Sequence, residues 1–302
     1  MKLKTWGAFW LLGLIWGSSF LWIKIAVQEL PPVTLVAMRL FLAAVGLCVL
    51  LRHQGQYLPR QRRILLAYLY MGVFNTALPF SLVSWGETGI DSGLTSILNA
   101  SVPLFTLVIA HLWLHDEKAT PARVIGLVVG FLGVVTLVGR SFGSSSGPGV
   151  AWGELAVLGG AVCYATSANF ARKYLRGQPA LVQAAMSMLV ADASAWLGAL
   201  WMDRPVHLPT DPTTWLAVAW LGILGSAVAY LLFFYLINSW GATRTTMVSY
   251  VFPVIALILG ITILREQADW RLAAGSLLVV GGIVIANLKG RAHSVPVTVS
   301  AD

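Results

Sequence analysis

Apolar runs of about twenty residues follow one another along nearly the whole chain, separated by short polar breaks. A run of that length matches the thickness of a bilayer's hydrocarbon core, so this pattern predicts membrane-spanning helices. Breaking the runs at charges, prolines and polar loops gives ten spans, at 6–25, 33–51, 64–85, 93–114, 122–139, 152–171, 180–201, 213–236, 243–264 and 270–288. The expected fold is therefore an all-α integral membrane protein. The apolar run at the N-terminus continues past Ser19 through Phe20-Leu21-Trp22-Ile23, which reads as a retained first span rather than a signal peptide.

Composition agrees: 58% of residues are hydrophobic and 11% charged, where a soluble domain carries about 25% charge. The net charge of +8 does not point to nucleic acid, because the basic residues sit in short clusters between apolar runs, as juxtamembrane anchors do. Of the lysines and arginines, fourteen fall on inner segments and five on outer ones when the N-terminus is placed inside, with Arg39 inside the second span. Both termini are thus expected in the cytoplasm. Cys48 and Cys163 lie within apolar runs and read as packing residues rather than a disulfide or metal pair.

The second half echoes the first. WLGILGSAVAYLLFFY at 220–235 resembles YMGVFNTALPFSLVSW at 70–85, with Gly222 on Gly72 and Pro253 on Pro103. After a one-residue shift, Glu266 meets Glu117, Gly275 meets Gly126 and Gly282 meets Gly133. This divides the chain into a first five-helix repeat at 1–140, a connecting loop at 141–151, a second repeat at 152–288 and a disordered tail at 289–302. Five spans is an odd number, so the halves would enter the membrane in opposite directions. Inverted repeats of this kind place a substrate site between the halves near the midplane.

On these residues a resemblance can be stated. WGSSFLWIKIAVQELPPVTLVAMRLFLAA (16–44), the Pro103 region followed by LHDE (114–117), and the Pro253 region followed by LRE (264–266) resemble the EamA-type members of the drug/metabolite transporter superfamily. Within it the chain is most similar to the YddG-type exporters of aromatic amino acids. The resemblance implies ten helices, an inverted five-plus-five fold and a central cavity. One departure stands out: Trp-Gly-Ser-Ser of the first half becomes Cys163-Tyr164-Ala165-Thr166 in the second.

Polar groups at membrane depth tend to face a cavity or a neighbouring helix. Asn75 precedes Pro79 by one turn, Asn99 precedes Pro103, and Tyr250 stands three residues before Pro253. Proline removes a backbone donor and can leave a carbonyl free to face the lumen. Cavity lining and helix–helix hydrogen bonding both fit these residues. Trp16, Phe20, Tyr164 and Tyr230 lie deep enough to stack on a planar substrate, with Ser19 offering a hydrogen bond; ordinary packing is the alternative. Asp192 either relays protons or forms a structural ion pair with Arg39, and Lys24 reads as an anchor at the outer interface. HLWLHDE (111–117) reads as a wet interfacial cluster rather than a metal site. GLIWG (13–17) and GLVVG (126–130) permit close helix contact, most simply within the bundle.

No nucleotide motif is visible, and neither metal nor cofactor is expected. The reading is a monomeric secondary transporter of the bacterial cytoplasmic (inner) membrane that exports aromatic or hydrophobic amino acids and related small metabolites by alternating access. Its partners are a small-molecule substrate and the lipid bilayer, with no nucleic acid. Export of another metabolite or drug class, an integral membrane enzyme and a passive channel are the alternatives.

Overall fold

The computed structural model describes residues 2–113, 121–143, 148–175, 177–240, 245, 247–267 and 270–287. Among these there are helices and no strands. In order they are α1 (Lys2–Ala26), α2 (Pro32–His53), α3 (Arg62–Gly72), α4 (Leu78–Gly89), α5 (Ser92–Asn99), α6 (Val102–Trp113) and α7 (Pro121–Gly143). The chain continues with α8 (Pro148–Tyr174), α9 (Ala180–Met202), α10 (Pro212–Ala219), α11 (Ala229–Trp240), α12 (Val251–Leu259) and α13 (Trp270–Asn287). Six helical stretches are long and apolar enough to cross a membrane: Leu3–Ala26, Pro32–His53, Arg62–Gly89, Gly149–Ala171, Ala180–Met202 and Pro212–Ser239. Val124–Thr136, Val248–Leu264 and Trp270–Gly282 are shorter apolar helices.

Several of these stretches are not uniform α-helix. A π-helical segment, Val73–Ala77, joins α3 to α4, and a longer one, Trp220–Val228, joins α10 to α11. The first lies just ahead of Pro79, whose ring removes a backbone donor and forces the turn to widen. The expected fourth span is broken between Asn99 and Val102, and Pro103 sits in the first turn of α6, where its missing N–H costs nothing. A 3₁₀ turn at Met247–Tyr250 leads into α12 just ahead of Pro253.

Glycines decide how closely the helices approach. A Cβ on Gly13 would lie 3.0 Å from Val251, and one on Gly17 would lie 2.7 Å from Ile255. The Gly-x-x-x-Gly of the first helix is therefore the groove into which one ridge of α12 fits. The α7–α13 pair is tighter. A Cβ on Gly133 would meet Val279 N at 2.6 Å and Gly275 O at 2.9 Å, and one on Gly282 would run into Gly130 N and meet Gly126 O at 2.5 Å. Elsewhere α2 packs along α9, α4 along α8, and α1 along α10, α11 and α12; α3 meets α9, α5 and α6 meet α8, and α5 meets α12.

Candidate functional site

Where α1, α2, α4, α8, α11 and α12 converge, a cavity of about 130 Å³ remains. That is close to the ~150 Å³ of an engineered cavity that takes up benzene, so its size is on the scale of a small ring. Aromatic side chains make up a large part of the wall. Trp16 makes edge contacts with Tyr230 and Phe252, at ring separations of 6.0 and 5.8 Å, and tilts against Phe233 at 5.4 Å. Phe80 adds edge contacts with Tyr164 and Tyr230. Such offset and edge arrangements are the favourable ones for aromatic quadrupoles.

Of the residues singled out in the sequence, Trp16, Ser19, Phe20, Arg39, Asn75, Asn99, Tyr164 and Tyr230 line this cavity. Pro79, Tyr250 and Asp192 do not. The reason differs for each. Pro79 acts through the backbone: a proline at 79 has no N–H to give to Asn75 O, four residues back. The expected free carbonyl does not face the lumen, however, because the Tyr230 hydroxyl donates to Asn75 O at 3.1 Å. The same hydroxyl lies 3.4 Å from Asn75 Nδ2, which donates to it, and 3.2 Å from Thr76 Oγ1. Tyr230 thus ties α11 to the first π segment.

Tyr250 is displaced because the tight 3₁₀ turn rotates the register. Ser249 and Val248 face the cavity, and Tyr250 packs against the hydrophobic cluster that includes Leu94 and Leu98. Asp192 stands half-buried on α9, with Oδ1 lacking a hydrogen-bond partner and the Trp196 side chain one turn on. The Asp192–Arg39 ion pair is not formed. Arg39 Nε instead donates to Ser226 Oγ at 3.2 Å, and its guanidinium lies 4.2 Å from the centre of the Phe80 ring.

The serines of the first helix are largely spent on their own backbone: Ser18 and Ser19 both donate to Ile15 O at 2.9 Å. Trp16 Nε1 donates to Gly225 O in the second π segment at 3.0 Å. The liganding side chains of HLWLHDE (111 and 115–117) lie outside the described residues.

Two features went unnoticed in the sequence. The third expected span runs on to Gly89, which buries Glu87 completely, with neither carboxylate oxygen hydrogen-bonded. Lys24 is no simple surface anchor, since its ammonium donates to Glu87 O at 2.8 Å and Ile90 O at 2.7 Å, at the C-terminal end of α4. Two residues later the N-terminus of α5 is capped from elsewhere in the chain: Ser92 N and Gly93 N donate to the Glu266 carboxylate at 2.7 and 3.1 Å. The α4–α5 turn is therefore held by a cation on its carbonyl side and a carboxylate on its amide side. A Lys four residues beyond Phe20 and a Glu four beyond Val83 were the available signals, since both flanking residues line the cavity.

A sequence profile described as the EamA-like transporter family matches residues 5–139 and 151–288. The chain belongs to the EamA-like transporter family. As an EamA-like protein it is similar to the uncharacterized inner membrane transporter YedA of Escherichia coli K12, with 28% identity covering 95% of this chain and 91% of that one. It is also similar to the uncharacterized transporter YoaV of Bacillus subtilis, with 27% identity over 89% of this chain and 92% of that one. Protein PagO of Salmonella typhimurium shares 27% identity over 83% of this chain and 82% of its own. A solved crystal structure matches the fold with a TM-score of 0.69 at 22% identity, over 94% of this chain and 96% of that one. This EamA-like chain is a multi-pass membrane protein of a small-molecule transporter family.

Proposed function

We propose that this EamA-like protein is a secondary transporter that exports aromatic or hydrophobic amino acids and related small metabolites by alternating access. It acts as a monomer in the bacterial cytoplasmic membrane, with both termini in the cytoplasm. The observation that carries the reading is the cavity itself, a ring-lined space with polar groups on its wall, built jointly by helices from both halves of the chain. Membership of a transporter family favours movement of a solute over its chemical conversion. The inner-membrane description of YedA supports the location.

Ten spans in two inverted repeats, 1–140 and 152–288, fit the packing. A shift by five spans turns α1 on α12 into α8 on α5–α6, α1 on α10–α11 into α8 on α4, and α2 on the second π segment into α9 on α3. The glycine contacts follow the same rule: Gly133 sits on 275 and 279, and Gly282 on 126 and 130. Two tracts of nearly equal length, each matching the family profile, point the same way. In this reading Trp16, Phe20, Tyr164 and Tyr230 offer the substrate apolar faces, while Ser19, Asn75 and Asn99 supply hydrogen bonds. Rocking of one half against the other would expose them to each side in turn.

The test is purified protein in liposomes with a panel of amino acids, with and without a pH gradient. Saturable flux with counterflow of an aromatic amino acid is the expected result. Unsaturable flux would make the protein a channel, and product formed without movement an enzyme. Asn75→Ala should reduce flux while membrane insertion and folding persist, and unchanged flux removes Asn75 from the site. If Asp192 relays protons, Asp192→Asn should abolish any response to the pH gradient.

A further inference from the structure

The cavity wall carries a single charged residue among those described, Arg39. Its side chain is buried, 2% exposed on the second helix, and the second π segment makes its berth. A Cβ on Gly222 would lie 2.8 Å from Arg39 O, and one on Gly225 would lie 3.3 Å from Nη2. Among the described residues the guanidinium makes one hydrogen bond, from Nε to Ser226 Oγ, and rests on the Phe80 ring. Among the described residues no carboxylate pairs with it; Glu87 acts on it only through the longer-range field. The four N–H groups of Nη1 and Nη2 therefore have no protein acceptor among the described residues, in a pocket otherwise lined by rings, aliphatic chains and a few neutral hydroxyl and amide groups. A cation held this way out of water is left without compensation. Phe80 offsets part of that, but a ring face is a weak substitute for an anion.

We infer that Arg39 is the receptor for a substrate carboxylate, so that the transported class is a monocarboxylate with a flat apolar body. The inference rests on the reading of this cavity as the substrate site and narrows it. The planar fork of Nη1 and Nη2 matches the two oxygens of a carboxylate, and a charge-assisted pair of this kind is strong and directional. Trp16, Phe20, Phe233 and Phe252 then take the apolar body. Asn99 completes the set. It is 8% exposed, lines the cavity, and its Oδ1 has no hydrogen-bond partner. That oxygen is itself buried, and a turn of the amide toward the lumen would present it to an N–H donor on the substrate, such as the ammonium of an amino acid. The site so built rejects an amine that lacks a carboxylate, because it would set a second cation beside Arg39.

The experiment uses the full chain, purified and immobilised for scintillation-proximity binding of radiolabelled benzoate, with benzylamine and L-phenylalanine as competitors. Benzoate and phenylalanine should bind, and benzylamine should compete about tenfold more weakly or worse. Arg39→Gln should weaken benzoate binding by about tenfold or more and close the gap to benzylamine, with Arg39→Lys falling between. Size-exclusion and thermal-melting profiles establish that each variant is folded. Benzylamine binding as well as benzoate, binding of none of the three, or a folded Arg39→Gln that keeps the benzoate preference would overturn the assignment. The wild-type ranking alone decides the matter if the variant does not fold. Carboxylate-selective binding without saturable flux would leave Arg39 standing and remove the carrier reading. Saturable transport indifferent to the carboxylate would do the reverse.

Discussion

Two of the three described π-helical segments, Val73–Ala77 and Trp220–Val228, align with each other in the sequence and reach a similar end by different chemistry. In the first, Pro79 frees a carbonyl, and Tyr230 from another helix claims it. In the second, Ala229 stands where the proline would be, and glycines at 222 and 225 with Ser226 take its place over a longer stretch. There the indole of Trp16 claims Gly225 O. Asn75 and Gly225 are the aligned positions, so in both halves the same carbonyl is satisfied by an aromatic side chain bordering the cavity. The first segment contributes an amide to the wall, and the second contributes room for Arg39. Proline opens a helix and leaves side chains free to vary, whereas glycine opens it by giving up side chains so that a neighbour can enter.

The largest expected effect comes from filling the glycines. Gly72→Val meets Val190 and Ala191 N, where a Cβ alone already lies 2.5 and 2.9 Å away, and Gly222→Val meets the Arg39 carbonyl. Backbone cannot yield as a side chain does, so each should cost about 3 kcal/mol in thermal or denaturant unfolding in detergent. The two should then part. Gly222→Val pushes on the berth of Arg39 and should also weaken benzoate binding in whatever folded fraction remains, whereas Gly72→Val should not. Equal binding losses in both would break the comparison.

A smaller effect isolates the carbonyls. Tyr230→Phe leaves Asn75 O without its donor and should destabilise by about 1–2 kcal/mol. In a Pro79→Ala background residue 79 regains its N–H, Asn75 O regains a donor from its own helix, and the loss from Tyr230→Phe should largely vanish. Trp16→Phe should cost a similar amount at Gly225 O, with no such rescue, because the second segment has no proline to remove. A double-mutant cycle by thermal unfolding reads the difference.

How much of this was legible in the sequence follows from the same contrast. Six membrane-length helices, the close contact at GLIWG and seven of the residues that line the cavity could be read from apolar runs and from polar or aromatic groups at membrane depth, since these are local signals. What could not be read was which neighbour a freed group finds. Asn75 O was expected in the lumen, and only the tertiary approach of α11 satisfies it. Tyr250 was one residue off because a 3₁₀ turn advances 120° per residue rather than 100°. Arg39 was given Asp192 as a partner on charge alone, although the two face different surroundings. Glu87 falls just beyond the expected third span, 64–85, because the apolar run fades there, yet the helix continues to Gly89 and Lys24 caps it.

The Lys24–Glu266 clamp gives the next prediction. On the alternating-access reading, the α4–α5 turn must move for the cavity to open at that end. Lys24→Met removes two charge-assisted bonds and should favour that opening by about 1.5 kcal/mol, roughly tenfold in population. Labelling of an Ile23→Cys reporter by a membrane-impermeant thiol reagent should accelerate accordingly, Cys48 and Cys163 first being replaced. Unchanged labelling would mean that this turn is a fixed part of the wall.

The smallest effect lies in the loops beside that clamp, where the two halves exchange capping groups. Asp203 Oδ2 accepts from Thr34 N at 2.8 Å and Thr34 Oγ1 at 3.0 Å at the start of α2. In return Glu29 accepts from Thr210 Oγ1 at 2.7 Å and Asp211 N at 3.2 Å, just ahead of α10. The Thr210 side-chain and backbone hydrogen bonds hold the Glu29 carboxyl down to about 2, below its usual 4.5. A depressed carboxyl contributes its stability in full above the unfolded value and loses it as pH falls toward the folded one. The stability difference between wild type and Glu29→Gln should therefore be flat from pH 7 to about 5 and shrink to nothing between about 4.5 and 2. Glu29 is only partly buried, so salt should reduce the difference throughout. A difference that grows on acidification would have the wrong sign for a capping carboxylate, and the exchange between the halves would then rest on Asp203 alone.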